Sequence, residues 1–212
     1  MTEKKIVVPG DLLTEQRKKL GTNVYMHNDK VYSSVVGILS ESNDYVSVIA
    51  LNGPYSAHIG DGIVAIVKDE MVNGYLLDYN SSSDVFIQKS KISKVLKIGT
   101  VIFARIGDIN DNDSLELDNI NVLPNGRIFS TSPVKVPRLI GKNDSMLNLF
   151  KEHGNANVVV GKNGWIWYMS EKYNLLERAF NLVVKNSQKS NLTNSIKEFL
   201  EKNKSDKIWV KD

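Results

Sequence analysis

The spacing of apolar and polar positions changes character along the chain. The first third consists of short β-branched runs broken by turn residues. Ile6-Val7-Val8 stops at Pro9-Gly10, and Tyr25-Met26-His27 is joined to Val31-Tyr32-Ser33 by Asn28-Asp29-Lys30, a hairpin turn by composition. Residues 35–39 and 45–50 are further runs of this kind, and Asn52-Gly53-Pro54-Tyr55 ends the pattern. With no helical period, the stretch predicts a small β-domain over residues 1–58. Residues 59–126 predict five strands, at 62–68, 74–78, 85–88, 100–109 and 114–120. Further on, 134–140 reads as a strand, and 145–153 as a helix with Met146, Leu149 and Phe150 on one face and Ser145 or Asp144 as N-cap. Strands at 156–160 and 165–169 follow. A helix over 171–185 carries a stripe of Leu175, Leu176, Ala179, Phe180 and Val183, and another spans 191–202. Residues 203–212 form a polar tail whose one aromatic, Trp209, hints at docking. The fold class is mainly β with an α+β C-terminal part.

The five central strands, with Gly60-Asp61-Gly62 before the first and Asn73-Gly74 turning into the second, fit an OB barrel. The order strand, loop-helix, strand, strand, helix over 127–202 fits a type I KH domain. In a KH domain a Gly-Lys-x-x loop before a helix holds a nucleic-acid backbone, because N–H groups and the helix N-terminus face the phosphates while lysine adds positive charge. Arg138, Gly141, Lys142, Asn143 and Ser145 are the candidate contacts of that loop. A purely structural loop is the other reading, since Asp144 places a negative charge where phosphate should approach and is itself a good N-cap. Gly161-Lys162-Asn163-Gly164 reads as a tight turn locking the KH sheet, which gives Gly161, Asn163 and Gly164 structural roles. Trp165 and Trp167, two apart on one strand face, read as core or interface.

Charge is uneven. Residues 1–58 are neutral, 59–126 carry −4 and 134–212 carry +6, so the basic final third suits a nucleic-acid module, with a solvated helix face carrying Lys185, Lys189, Lys197, Lys202 and Lys204 as the other reading. In the barrel, Tyr75, Tyr79 and Phe86 are candidates to stack bases, with core packing as the other reading. Lys89, Lys91 and Lys94 form a basic loop suited to phosphates, and Arg105 and Arg127 complete the candidate RNA contacts. Cysteine is absent and the three histidines are scattered, so no metal site is expected. The acidic stretch 108–116 lacks the glycine and glutamate of a calcium loop and reads as a polar hairpin connection. No phosphate loop of the G-x-x-x-x-G-K-[ST] kind, H-E-x-x-H or nucleophile elbow is present, so no catalytic residues and no cofactor are expected. No run is long enough for a membrane helix and the start lacks an apolar signal core, so the expectation is a cytoplasmic protein off the membrane.

Several runs together resemble the KH-containing RNA-binding cap subunit of the archaeal exosome, the ribosomal-RNA-processing type. They are the opening VVPGD, Gly53-Pro54-Tyr55 before Ile59-Gly60-Asp61, Leu123-Pro124-Asn125-Gly126-Arg127, the run KVPRLIGK ending at Lys142, Ser145-Met146-Leu147, the G-K-N-G turn before Trp167, and Leu192-Thr193. The resemblance covers nearly the whole chain. It implies an N-terminal β-domain, an S-one-type OB domain over 59–126 and a KH domain over 127–202. It also implies a non-catalytic role, in which three copies cap a ring of ribonuclease-PH-like subunits and guide single-stranded RNA 3′ ends into it for degradation and processing. A stand-alone ribonuclease, or a structural cap with decayed RNA surfaces, are the alternatives. The chain departs from the family where Asp144 replaces a second loop glycine, and where Ser81-Ser82-Ser83-Asp84 replaces an aromatic.

Overall fold

A computed structural model describes residues 5–92, 94–110, 114–189 and 191–203. The tail from 204 onward, Trp209 included, and the centre of the acidic connection at 111–113 lie outside the described residues. The chain divides into two compact units, Met1–Gly53 and Pro54–Asp212.

The first unit is all β among its described residues. Strands β1 (Ile6–Val7), β6 (Gly37–Glu41), β7 (Tyr45–Ala50) and β3 (Lys19–Leu20) make one sheet, in that order. Strands β2 (Leu12–Thr14), β5 (Lys30–Ser33) and β4 (Val24–His27) make a second. The β4–β5 hairpin turns on two residues, Asn28 and Asp29, both with positive φ (50° and 58°). This is the type I′ geometry that matches strand twist, and it returns Lys30 to the strand. Val7, Leu13, Val31, Val46 and Val48 form the core.

In the second unit, β8 (Gly62–Glu70), β9 (Gly74–Asp78), β10 (Val85–Gln88), β11 (Val101–Ile109) and β12 (Leu115–Val122) form an antiparallel sheet in the order β10-β9-β8-β11-β12. The sheet curls into a half-barrel around Ile63, Ala65, Leu77, Ile102 and Ala104, a shape that fits the expected OB fold, and the Lys91–Glu116 ion pair at 3.3 Å ties the turn after β10 to β12. Tyr55 and Ala57 pack on this same core. Thus 54–58, grouped by sequence with the N-terminal segment, folds against the barrel.

The remaining elements follow the type I KH order: β13 (Arg127–Ser130), α1 (Val136–Ile140), α2 (Ser145–Gly154), β14 (Asn157–Val160), β15 (Trp165–Met169) and α3 (Tyr173–Lys185), with α4 (Leu192–Lys202) added. The sheet runs β13-β15-β14, all antiparallel. The strand expected at 134–140 is corrected: Pro133–Lys135 is a turn of 3₁₀ helix and Val136–Ile140 is α1. The β-branched valines mislead there. Pro137, with its fixed φ, fits the first helical turn, and Val136 and Leu139 bury one face at a spacing of three while Arg138 faces solvent. The opening strand of the module is β13 instead. Phe180 of α3 anchors the core, with Phe150 edge-on at 4.8 Å and Tyr168 at 5.1 Å.

Candidate nucleic-acid interface

The loop 141–144 joins α1 to α2. Gly141 closes α1, its N–H donating to the Pro137 carbonyl at 3.0 Å. Its φ is +77°, and an added Cβ would come within 2.7 Å of the Met146 amide nitrogen, so no other residue fits without a shift. Asn143 and Asp144 both adopt left-handed backbone, with φ of 51° and 59°. Asp144 stands at the N-cap position of α2 but makes no side-chain capping hydrogen bond, which corrects the capping role expected of it. A true N-cap has extended backbone, whereas here Asp144 holds the left-handed conformation that glycine would adopt most cheaply. Arg138, Lys142 and Asn143 are exposed, and Ser145 is half-buried at the first position of α2. All five candidates thus lie on the continuous segment from α1 through the loop to the start of α2, three of them exposed.

The second glycine turn has the opposite environment. Asn163 is fully buried, and its side chain reaches into the five-stranded sheet. The Val64 N–H donates to Asn163 Oδ1 at 3.2 Å, while Asn163 Nδ2 donates to the carbonyls of Val64 (2.8 Å) and Tyr79 (2.6 Å). The Lys162 N–H donates to the Gly62 carbonyl at 2.8 Å, and Asn80 Nδ2 donates to the Asn163 carbonyl at 2.7 Å. A Cβ on Gly161 would strike Asn163 Oδ1 and the Val64 nitrogen. The turn also closes the β14–β15 hairpin, the Gly161 N–H donating to the Trp165 carbonyl at 2.8 Å, so besides the sheet-locking role expected of it this turn fastens the KH sheet to the barrel.

An ion pair flanks this junction. Lys162 Nζ lies 2.6 Å from Asp61 Oδ1, and the Tyr55 hydroxyl donates to Asp61 Oδ2 at 2.8 Å. Burial alone would raise the Asp61 pKa. The hydrogen bonds from Lys162 and Tyr55 outweigh that and hold the carboxyl below its ordinary range. Burial, and then the Asp61 carboxylate beside it, push the Tyr55 phenol upward.

The barrel candidates separate. Tyr75 is 1% exposed and its hydroxyl accepts the Leu96 N–H at 3.1 Å, and Tyr79 is 4% exposed, so both rings are core and the base-stacking role expected of them is corrected. Phe86 is 44% exposed on β10 and packs over Gly74, whose missing Cβ leaves room for the ring. Lys89 pairs with Glu70 at 2.8 Å and Lys91 with Glu116, so a phosphate would compete with a carboxylate for each. Lys94 is exposed, and so is Arg105, which on β11 lies opposite Asp118 of β12. Arg127, on β13, stacks its guanidinium 4.5 Å from the centre of the Tyr173 ring, at the end of α3 rather than beside the loop 141–144. Sequence reasoning had no signal for the Asp61–Lys162 pair, whose partners are 101 positions apart.

Residues 4–52 match the family model described as the exosome RNA binding protein RRP4 N-terminal domain. The exosome complex component Rrp4 of Methanosarcina mazei is 35% identical over 93% of this chain and 82% of its own length. That of Pyrococcus furiosus is 31% identical over 93% and 83%. A crystal structure of a protein assigned as an exosome complex RNA-binding protein superposes with a TM-score of 0.64, covering 71% of this chain and 97% of that one at 22% identity. That likeness speaks for the fold.

Proposed function

We propose that this chain, which belongs to the Rrp4 family of exosome components, is the RNA-binding cap subunit of an exosome and acts without catalysing cleavage itself. It captures single-stranded RNA on its KH and OB-type modules, at 127–202 and 59–126, and passes 3′ ends to ribonuclease-PH-like ring subunits, with three copies per complex in the cytoplasm. The observation that carries this reading is the loop 141–144: a solvent-facing glycine turn with Arg138 and Lys142 beside it, at the α1–α2 junction. Cations on an exposed turn meet a flexible phosphate chain at little cost in reorganisation. Phe86 and Lys94 on the barrel supply a stacking ring and a charge for the same strand.

The N-terminal unit is the proposed ring-docking part. It is neutral overall yet exposes Ile6 and Ile49, at 65% and 59%, in one row across the sheet through Ile38, an apolar strip suited to protein rather than to phosphate. Removing residues 1–50 should abolish co-purification with ring subunits while leaving RNA affinity, and undiminished ring binding by the folded remainder would refute the assignment. The central test is fluorescence anisotropy with labelled single-stranded RNA at two salt concentrations, alongside gels with magnesium and phosphate. Binding that weakens steeply with salt, and RNA of unchanged length, is expected. Salt-independent binding would remove the phosphate-contact reading, and processive shortening by the pure chain would replace it with a ribonuclease.

A further inference from the structure

At the end of the KH module opposite the loop 141–144, the far end of α2 and the start of α3 enclose an open cavity of about 590 Å³. That volume lies within the range of small-ligand sites. Its lining combines three kinds of chemistry. Tyr173 and Met169 give an aromatic and a polarisable wall, Lys151 gives a cation, and Glu171 and Asn157 give hydrogen-bonding ends. The Tyr173 ring is fixed in place: Arg127 lies over it at 4.5 Å and Tyr168 meets it edge-on at 5.6 Å. Lys151, Asn157 and Glu171 are exposed, so their polar heads are available to a ligand.

We propose that this cavity is a second, base-selective ribonucleotide subsite. A base would lie against Tyr173 and Met169, and its phosphate would meet Lys151. A carboxylate is acceptor-only, so Glu171 selects a base edge that presents adjacent N–H donors, as guanine does, over uracil with one donor between two carbonyls. Asn157 carries both a donor and an acceptor and tolerates either edge. The inference extends the RNA-binding reading, because α2, ten residues and therefore about 15 Å long, separates the cavity from the loop 141–144 by a few nucleotides of strand. It also gives a place to the displaced Arg127, which props the stacking ring instead of joining the loop.

The test uses the full chain, isotopically labelled, titrated with each of the four ribonucleoside 5′-monophosphates and followed by amide chemical shifts. GMP should move the amides of Asn155, Asn157 and Ser170, with UMP weakest of the four. Lys151→Glu should weaken GMP by about fivefold, since a repulsive charge replaces an attractive one at an exposed site. Glu171→Gln should shrink the difference between GMP and UMP. Both side chains are exposed, so both variants keep the fold. Failure of every mononucleotide to move these amides, or equal affinity in all three proteins, would overturn the subsite. A parallel titration with an RNA oligomer separates it from the broader reading. Loss of RNA affinity in Lys142→Ala but not in Lys151→Glu discards the subsite and keeps the RNA-binding function. GMP binding without any RNA affinity does the reverse.

Discussion

The KH module contains two turns that both begin Gly-Lys, twenty residues apart in sequence, and they meet opposite fates. At 141–144 the side chains face solvent, and two successive non-glycine residues hold left-handed backbone with no capping bond in return. At 161–164 the asparagine is fully buried, with each of its polar side-chain atoms spent on the barrel backbone. A glycine–lysine pair, then, does not itself define a ligand site. The two residues after the lysine decide the outcome. An Asn-Gly pair presents an amide that can satisfy a strand's unpaired N–H and C=O together, so the turn is drawn inward. An Asn-Asp pair carries a charge that stays in water.

The largest effect that would test this contrast is expected from Asn163→Ala. Removing the amide strands the Val64 N–H and the Val64 and Tyr79 carbonyls in a buried junction. At 1–3 kcal/mol for a buried unsatisfied group, partly relieved by relaxation, the loss should be about 3–5 kcal/mol. Calorimetry should show the melting temperature of the second unit falling by about 6–15 °C. A drop of about 1 °C would mean the junction is held by something else.

Next comes Lys142→Ala in the exposed turn. It should leave the melting temperature in place and weaken single-stranded RNA by about five- to tenfold, with the salt slope reduced by about one. If anisotropy shows no change, the two turns are alike in being structural. Asp144→Gly should act in the other direction, tightening RNA by about fivefold at low salt as a fixed anion leaves the phosphate path, with the gain fading as salt rises. The same change relieves a left-handed non-glycine residue, so melting should hold or rise slightly.

The smallest effect concerns pH. Asp61 has a folded pKa below its ordinary one, so the stability it contributes is full above the unfolded value of about 4 and is lost as pH falls through the folded value. Lys162→Met removes the Asp61 ion-pair partner and should bring that pKa back up. The variant should then be less stable than the parent near neutrality and converge with it in acid. Urea titrations from pH 7 down to pH 2 measure this, and a gap that persists at the acid end would assign the loss to packing rather than to charge.

Much of this fold was legible from periodicity and turn chemistry. The strands at Gly74–Asp78 and Val85–Gln88 fall where Asn73-Gly74 and the serine run place their ends. The helix over Tyr173–Lys185 follows its apolar stripe. Short pieces without a pattern of their own were not legible. Lys19–Leu20 is a strand only because β7 lies beside it, and Arg127–Ser130 is defined by pairing with β15. The helix at Val136–Ile140 was hidden by β-branched residues, because five residues are too few for a period to outweigh propensity. At the candidate interface, sequence could not separate Phe86 from Tyr75. Both are aromatic residues of barrel strands, and only the pleat turns one outward and the other into the core.

The junction at Asn163 also bears on the thermodynamics of holding a strand. Because the amide fixes the KH sheet to the barrel within one compact unit, no flexible protein tether lies between the loop 141–144 and the ring of Phe86. On the proposed RNA-binding reading, a strand caught at one of these surfaces would search for the other only through the freedom of its own intervening nucleotides. The second contact is then an intramolecular event, with an effective molarity set by the length of that RNA. A protein of this build would hold strands long enough to bridge both surfaces by avidity and release those cut shorter than the span, so that dwell time itself measures length.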